Sequence, residues 1–309
     1  MSARRAKVAV MSAVQARPEK PDPSSYRRPR VIPQPGVFKT SRFLAGLRAT
    51  GIAVWTLWLA LLNLRSILAK RGVTPDVTMQ WHKMTQRIAA IDVRVTGTPI
   101  RDRPVLFVAN HASYLDIIVL GALLPCSFVS KSEVRDWPIF GWLAVQQRTV
   151  FIERDPRKAD RHLSEMKQRI EDGGCLVLFP EGTSSDGSRV LPFKSALFQS
   201  ASIEFPETGQ IEVQTVSIAY NRLDGMPMGR ALRPLYTWFG DMELVPHLMG
   251  WLGLGTVGVD VVFHEPLRMA DVGGRKELAQ ATQRACTHGL QTALRNAPQP
   301  SSPMVQAAS

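Results

Sequence analysis

Cysteine is scarce in this chain. The 309 residues hold three, Cys126, Cys175 and Cys286, odd in number and far apart. That excludes a disulfide framework. The six histidines form no ligand pair either, so no metal-ligand spacing is present and the expectation is free thiols in a reducing compartment. Acidic residues are also short, 26 against 38 Lys and Arg, for a net charge of +12. No nucleic-acid-binding motif accompanies that charge, so a nucleic-acid partner is not expected. Neither a phosphate-binding G-x-x-x-x-G-K-S/T loop nor a G-x-S-x-G nucleophile elbow occurs. The N-terminus lacks the apolar core and small-residue cleavage site of a secretory signal, and no internal repeat is found. No uncharged apolar run reaches the roughly 20 residues that a spanning helix needs.

What is present is unevenly spread. Residues 1–42 carry ten Lys and Arg, two acids and six prolines, so +8 of the +12 lies there. They read as a disordered basic arm, suited to anionic lipid headgroups. The segment Phe43 to Leu64 follows, with sixteen uncharged residues from Ala49 to Leu64, Trp55 and Trp58 among them, and basic residues at both ends. It reads as a helix dipping into or lying on the cytoplasmic leaflet, although tolerating Arg48 by snorkelling would lengthen it toward a span. A single span is the alternative, and a buried helix of a soluble protein the third reading. Met79 to Ile91 reads as a second amphipathic helix, which makes 43–91 a membrane-associated segment.

From residue 92 β-branched runs alternate with helical ones. Strands are expected at Val93–Thr96, Val105–Asn110, Ser127–Lys131, Thr149–Glu153, Cys175–Phe179, Val213–Tyr220 and Val257–His264. Helices are expected at Tyr114–Leu124, Trp137–Gln146, Lys158–Glu171, Phe193–Ile203 and Arg275–Leu294. The alternation predicts an α/β domain over 92–296, a largely parallel sheet flanked by helices, and a low-complexity tail over 297–309. Ligands of such sheets bind at the carboxyl ends of the strands.

Three polar joints fall at such ends. Asn110-His111-Ala112-Ser113-Tyr114-Leu115-Asp116 follows the run Val105 to Val108. A neutral histidine can take a hydroxyl proton while a carboxylate on its other ring nitrogen sets the tautomer. Five residues on a helix turn through about 500°, so the pair can meet only if His111 precedes the helix. The competing reading makes Ser113 an N-cap and Asp116 its capping-box partner. The second joint, Val150-Phe151-Ile152-Glu153-Arg154, ends a strand in an arginine able to clamp a carboxylate or phosphate. The third, Phe179-Pro180-Glu181-Gly182-Thr183-Ser184-Ser185-Asp186-Gly187, is a turn whose amides and hydroxyls could hold a headgroup, with Lys194 adding a positive charge. Each alone also reads as an ordinary turn or surface ion pair.

Together these motifs resemble the lysophospholipid (glycerolipid) acyltransferase family over roughly residues 75–265: N-H-A-S-Y-L-D its first signature, V-F-I-E-R its second, F-P-E-G-T its third. The resemblance implies His111 as general base and Asp116 as its orienting carboxylate. It implies acceptor binding by Arg154, Glu181, Gly182 and Thr183, an acyl carrier protein or coenzyme A thioester as donor, and no metal or cofactor. Members that acylate lysophosphatidate usually carry arginine after E-G-T, where Ser184 stands here. Arg148 replaces a common glycine, and Val213 to Ser217 lacks the usual proline. With Lys131-Ser132-Glu133-Val134, Leu191 to Ala196 and Trp238-Phe239-Gly240-Asp241-Met242, the chain is most similar to the bacterial branch acylating lyso-ornithine lipid, whose headgroup is zwitterionic. The implied location is the cytoplasmic face of the bacterial inner membrane. A hydrolase using Ser184 or Ser185 with His111, and a non-catalytic lipid-surface adaptor, are the rival readings.

Overall fold

The computed structural model describes residues 40–296 except 70, 72, 154–155, 173–174 and 206–208. The expected basic arm therefore lies almost wholly, and the tail wholly, outside the described residues. Arg154 lies outside them too.

The strands are β1 (Ile91–Thr96), β2 (Val105–Ala109), β3 (Cys126–Lys131), β4 (Val150–Ile152), β5 (Cys175–Leu178), β6 (Glu212–Leu223) and β7 (Val257–Phe263). They lie in the order β1-β7-β6-β2-β5-β3-β4, with the two-residue strand Met226–Pro227 beside β6. Every pair along this order is parallel except β7 with β6. The five strands from β6 to β4 thus point their carboxyl ends the same way. β2 is buried along its full length because both its faces are covered. Val105, Phe107 and Ala109 face one apolar core with Leu115, Val119 and Tyr220. Leu106 and Val108 face the other with Met166, Phe198 and Leu278.

The longer helices are α1 (Arg42–Leu62), α2 (Pro75–Ile88), α3 (Leu115–Leu123), α4 (Phe140–Gln146), α5 (Ala159–Glu171), α6 (Leu244–Leu252) and α7 (Arg275–Arg295). Three expected helices differ. The one placed at Met79–Ile91 runs over Pro75–Ile88, and Ile91 opens β1. The one placed at Trp137 begins at Phe140, because Pro138 holds Trp137 extended and Ile139 adopts a left-handed φ of 65°. Phe193–Ile203 is a 3-10 run over Ser195–Ser202. The sequence reading missed α6, whose internal Pro246 looks like a breaker. It falls in the first turn, where the missing N–H has no helical partner to lose.

Helix α1 is, among the described residues, the one helix long and apolar enough to cross a membrane. Phe43, Leu47, Val54, Leu57, Leu61 and Leu62 are exposed along it. Arg48, whose snorkelling would lengthen a span, is turned into the protein. Its guanidinium donates to Leu252 O at 3.0 Å and Leu254 O at 2.6 Å, where the carbonyls of the α6 end need donors. Ser41 N also donates to Gly253 O. Helix α1 is thereby pinned to α6 at one end while its apolar flank stays bare. Helices α2 and α3 touch through Gly121, where a Cβ would lie 2.3 Å from the His82 ring. Burial pushes the His82 imidazole down to about 3, so it packs as a neutral ring.

Candidate active site

Helix α3 starts at Leu115, so His111 lies in the joint before it, in line with the condition set by helical geometry. Its Nδ1 lies 2.8 Å from Asp116 Oδ2. The same oxygen accepts Ala112 N at 2.8 Å and Ser113 N at 3.0 Å. The capping and dyad readings therefore coexist: Asp116 closes the helix start and holds the imidazole at once. The cap is one-sided, since Ser113 Oγ is buried without a partner. The remaining oxygen, Oδ1, accepts the hydroxyl of Tyr220 at 2.7 Å. Four donors thus converge on a carboxylate with no solvent exposure, which is what burying a charge requires. Because a carboxylate only accepts, Nδ1 carries the imidazole proton and Nε2 presents a lone pair. The His111 ring stacks on Phe179 with centroids 4.2 Å apart and keeps 22% of its side-chain surface open.

Tyr220 was not expected from the sequence. It stands on β6, 104 residues from its partner, with nothing nearby to mark its hydroxyl. Burial first, and then the charge of Asp116, push its pKa well above the ordinary tyrosine value, so it remains a donor.

The adjacency of β2 and β5 brings the third joint against the first. Glu181 is buried; its Oε1 accepts His111 N at 2.9 Å and its Oε2 accepts Leu191 N at 3.1 Å. Both oxygens hold the chain's own amides, so Glu181 staples the two joints together. Burial raises its pKa to about 8, against the lowering effect of these two bonds. Gly182 takes a left-handed φ of 65°, and a Cβ there would meet Lys194 Nζ at 2.5 Å, so Lys194 lies across this turn. Thr183 is exposed beside it. Ser184 Oγ donates to Trp238 O, and Ser185 Oγ accepts Gly187 N. Neither hydroxyl is paired with the His111 ring, which removes the geometric basis of a serine hydrolase. Ser185 N donates to His111 O and Trp238 N to Ala112 O, both at 2.8 Å. The His111-Ala112 backbone is therefore clamped between the loop after β5 and the segment around Trp238. Glu153, which precedes the undescribed Arg154, pairs with Lys158. Among the described residues no cluster of His, Cys, Asp and Glu could hold a metal ion.

A lone-pair nitrogen on an oriented histidine, at the carboxyl end of a parallel sheet, can take the proton of a hydroxyl. The Acyltransferase family profile matches residues 92–219. The chain belongs to this family, and it is an acyltransferase. It is 47% identical over 217 residues to a lyso-ornithine lipid O-acyltransferase of Brucella abortus, covering 69% of this chain and 81% of that one. It is 41% identical over 121 residues to a 1-acyl-sn-glycerol-3-phosphate acyltransferase of Neisseria gonorrhoeae, covering 37% of this chain and 46% of that one. The crystal structure of the 1-acyl-sn-glycerophosphate acyltransferase of Thermotoga maritima superposes with a TM-score of 0.57 at 21% identity, covering 84% of this chain and 97% of that one, which shows the shared fold.

Proposed function

We propose that the chain is a membrane-associated O-acyltransferase that completes ornithine lipid by acylating the 3-hydroxyl of lyso-ornithine lipid from an acyl carrier protein or coenzyme A thioester. The observation that carries the mechanism is the 2.8 Å contact between His111 Nδ1 and Asp116 Oδ2, with Nε2 left open. Nε2 takes the acceptor proton as the hydroxyl oxygen attacks the thioester carbonyl. The C–S bond breaks, and the leaving thiolate takes that proton back from the imidazolium. Asp116 stabilises the imidazolium in between. Arg154, Gly182, Thr183 and Lys194 bind the acceptor at the strand ends. Residues 43–91 hold the enzyme at the cytoplasmic face of the inner membrane, the arm 1–42 meets its anionic surface, and 92–296 carry out the chemistry.

The acceptor assignment is supported by the identity to the Brucella abortus relative, and by Ser184, whose hydroxyl is spent on Trp238 O where lysophosphatidate acylation would call for a cation. The experiment is acyl transfer from labelled acyl carrier protein to lyso-ornithine lipid and lysophosphatidate side by side. Product is expected on lyso-ornithine lipid, and His111→Ala should lower the rate by about 10² to 10⁴ or more. Product on lysophosphatidate alone would replace the acceptor while leaving the chemistry intact. A His111→Ala rate near wild type would remove the general base from the mechanism.

A further inference from the structure

Beside the catalytic joint lies a charged cluster that the mechanism does not use. Asp186 follows Ser185, whose amide holds His111 O, and precedes Gly187, where a Cβ would lie 3.8 Å from the Ala112 side chain and 3.8 Å from Arg233 Cδ. Asp186 is 9% exposed. Its Oδ1 accepts Ser188 N at 2.9 Å, while among the described residues its Oδ2 faces only Arg230 Nη2, at 3.6 Å, too far for a hydrogen bond. Arg233 is 9% exposed as well; Nη1 donates to Ser188 Oγ at 2.8 Å, and its Nε–H is buried without a partner. Burial makes the Arg233 guanidinium less basic and Asp186 works against that, which places the two charges in each other's field. The cluster thus holds an under-used acceptor of negative charge and an under-used donor of positive charge. Arg230, two-thirds exposed on its side chain, is the loose and replaceable partner.

We propose that Asp186, Arg230 and Arg233 form the subsite that reads a zwitterionic amino-acid headgroup, the ammonium going to Asp186 Oδ2 and the carboxylate to Arg230 and the Arg233 Nε–H. This rests on the acceptor assignment above and deepens it. A headgroup with both signs exchanges into the place of the Arg230 to Asp186 contact, with no buried charge left alone. A phosphate could use the two arginines but brings no cation to Asp186, whose charge would be left alone once Arg230 turned to the ligand. The cluster lies against His111-Ala112, so the acceptor that satisfies it is held beside the general base.

The test compares lyso-ornithine lipid with the same lipid acetylated on its side-chain nitrogen, which keeps the carboxylate and the 3-hydroxyl but removes the ammonium. The wild-type enzyme should prefer the unmodified lipid about tenfold to a hundredfold in kcat/KM, the range for one hydrogen bond to a charged group. Asp186→Asn keeps the Ser188 bond; it should raise KM for lyso-ornithine lipid about tenfold or more with kcat little changed, and collapse the preference toward one. Arg230→Gln, at an exposed position, should likewise erase the preference for the free carboxylate over its carboxamide. Undiminished preferences in both variants, or equal losses on modified and unmodified lipids, would overturn the proposal while the acceptor assignment stood. Wild-type inactivity on lyso-ornithine lipid would overturn that assignment and the proposal with it.

Discussion

At the residue scale, the site turns on how one carboxylate is shared. Asp116 Oδ2 binds the imidazole and two amides, and Oδ1 binds Tyr220. In the proposed mechanism Tyr220 acts through Asp116, as a positioning residue. Removing its hydroxyl in Tyr220→Phe keeps the buried ring but leaves Oδ1 without a donor inside the core. Hydrogen bonds to charged groups contribute about 1.5–3 kcal/mol, so kcat should fall about tenfold to a hundredfold. KM for the lysolipid should hold, because the acceptor contacts are untouched. Steady-state kinetics of the variant separates this from loosened packing, which would raise KM as well. His111 and Asp116 were legible because they lie five residues apart in one strand-to-helix joint, inside the N-H-A-S-Y-L-D motif. Tyr220 was not, because a hydroxyl on a distant strand becomes a partner only when β6 lies against β2.

At the scale of elements, the joint after β2 and the loop after β5 are stapled by Glu181. Between its unfolded pKa of 4.5 and its folded value of about 8, the folded state binds more protons at this group than the unfolded state does. Stability therefore falls as pH rises through that window. Glu181→Gln removes the titration and leaves an amide that cannot accept from both His111 N and Leu191 N. Denaturant melts should show the wild type more stable than this variant at pH 5, with the margin shrinking toward pH 8. A margin that widens with pH would mean that the two amides outweigh burial. The strands and long helices were legible from their side-chain patterns, β2 as an unbroken apolar run and α7 as a long helical one. Helix α6 was hidden by Pro246, and the early start given to α4 came from treating Trp137-Pro138-Ile139 as helical when its backbone is bent.

At the scale of the whole molecule, the bare flank of α1 is the feature that folding does not explain. Leu57 and Leu61 are each more than three-fifths exposed, one turn apart on a helix whose Arg48 is held inside by α6. Burying one leucine side chain yields about 1.5–3 kcal/mol, so the double substitution Leu57→Glu with Leu61→Glu should lower partitioning onto vesicles about a hundredfold or more. Co-sedimentation with vesicles containing anionic lipid measures this, and activity on detergent-dispersed acceptor should survive. Unchanged sedimentation would place the membrane contact elsewhere on the molecule.

Sequence alone determined the α/β class, the alternation of elements, and the local pairs whose members lie within one joint, His111 with Asp116 above all. These depend on side-chain period and short spacing, which a chain carries before it folds. Only the tertiary structure decided that the first and third joints would be neighbours, through β2 beside β5, and that Glu181 would staple them. It alone set Tyr220 behind Asp116, Arg48 on α6 and Arg233 beside Asp186. Such contacts join residues tens to hundreds of positions apart, and their partners are chosen by strand order and packing, which no local pattern encodes.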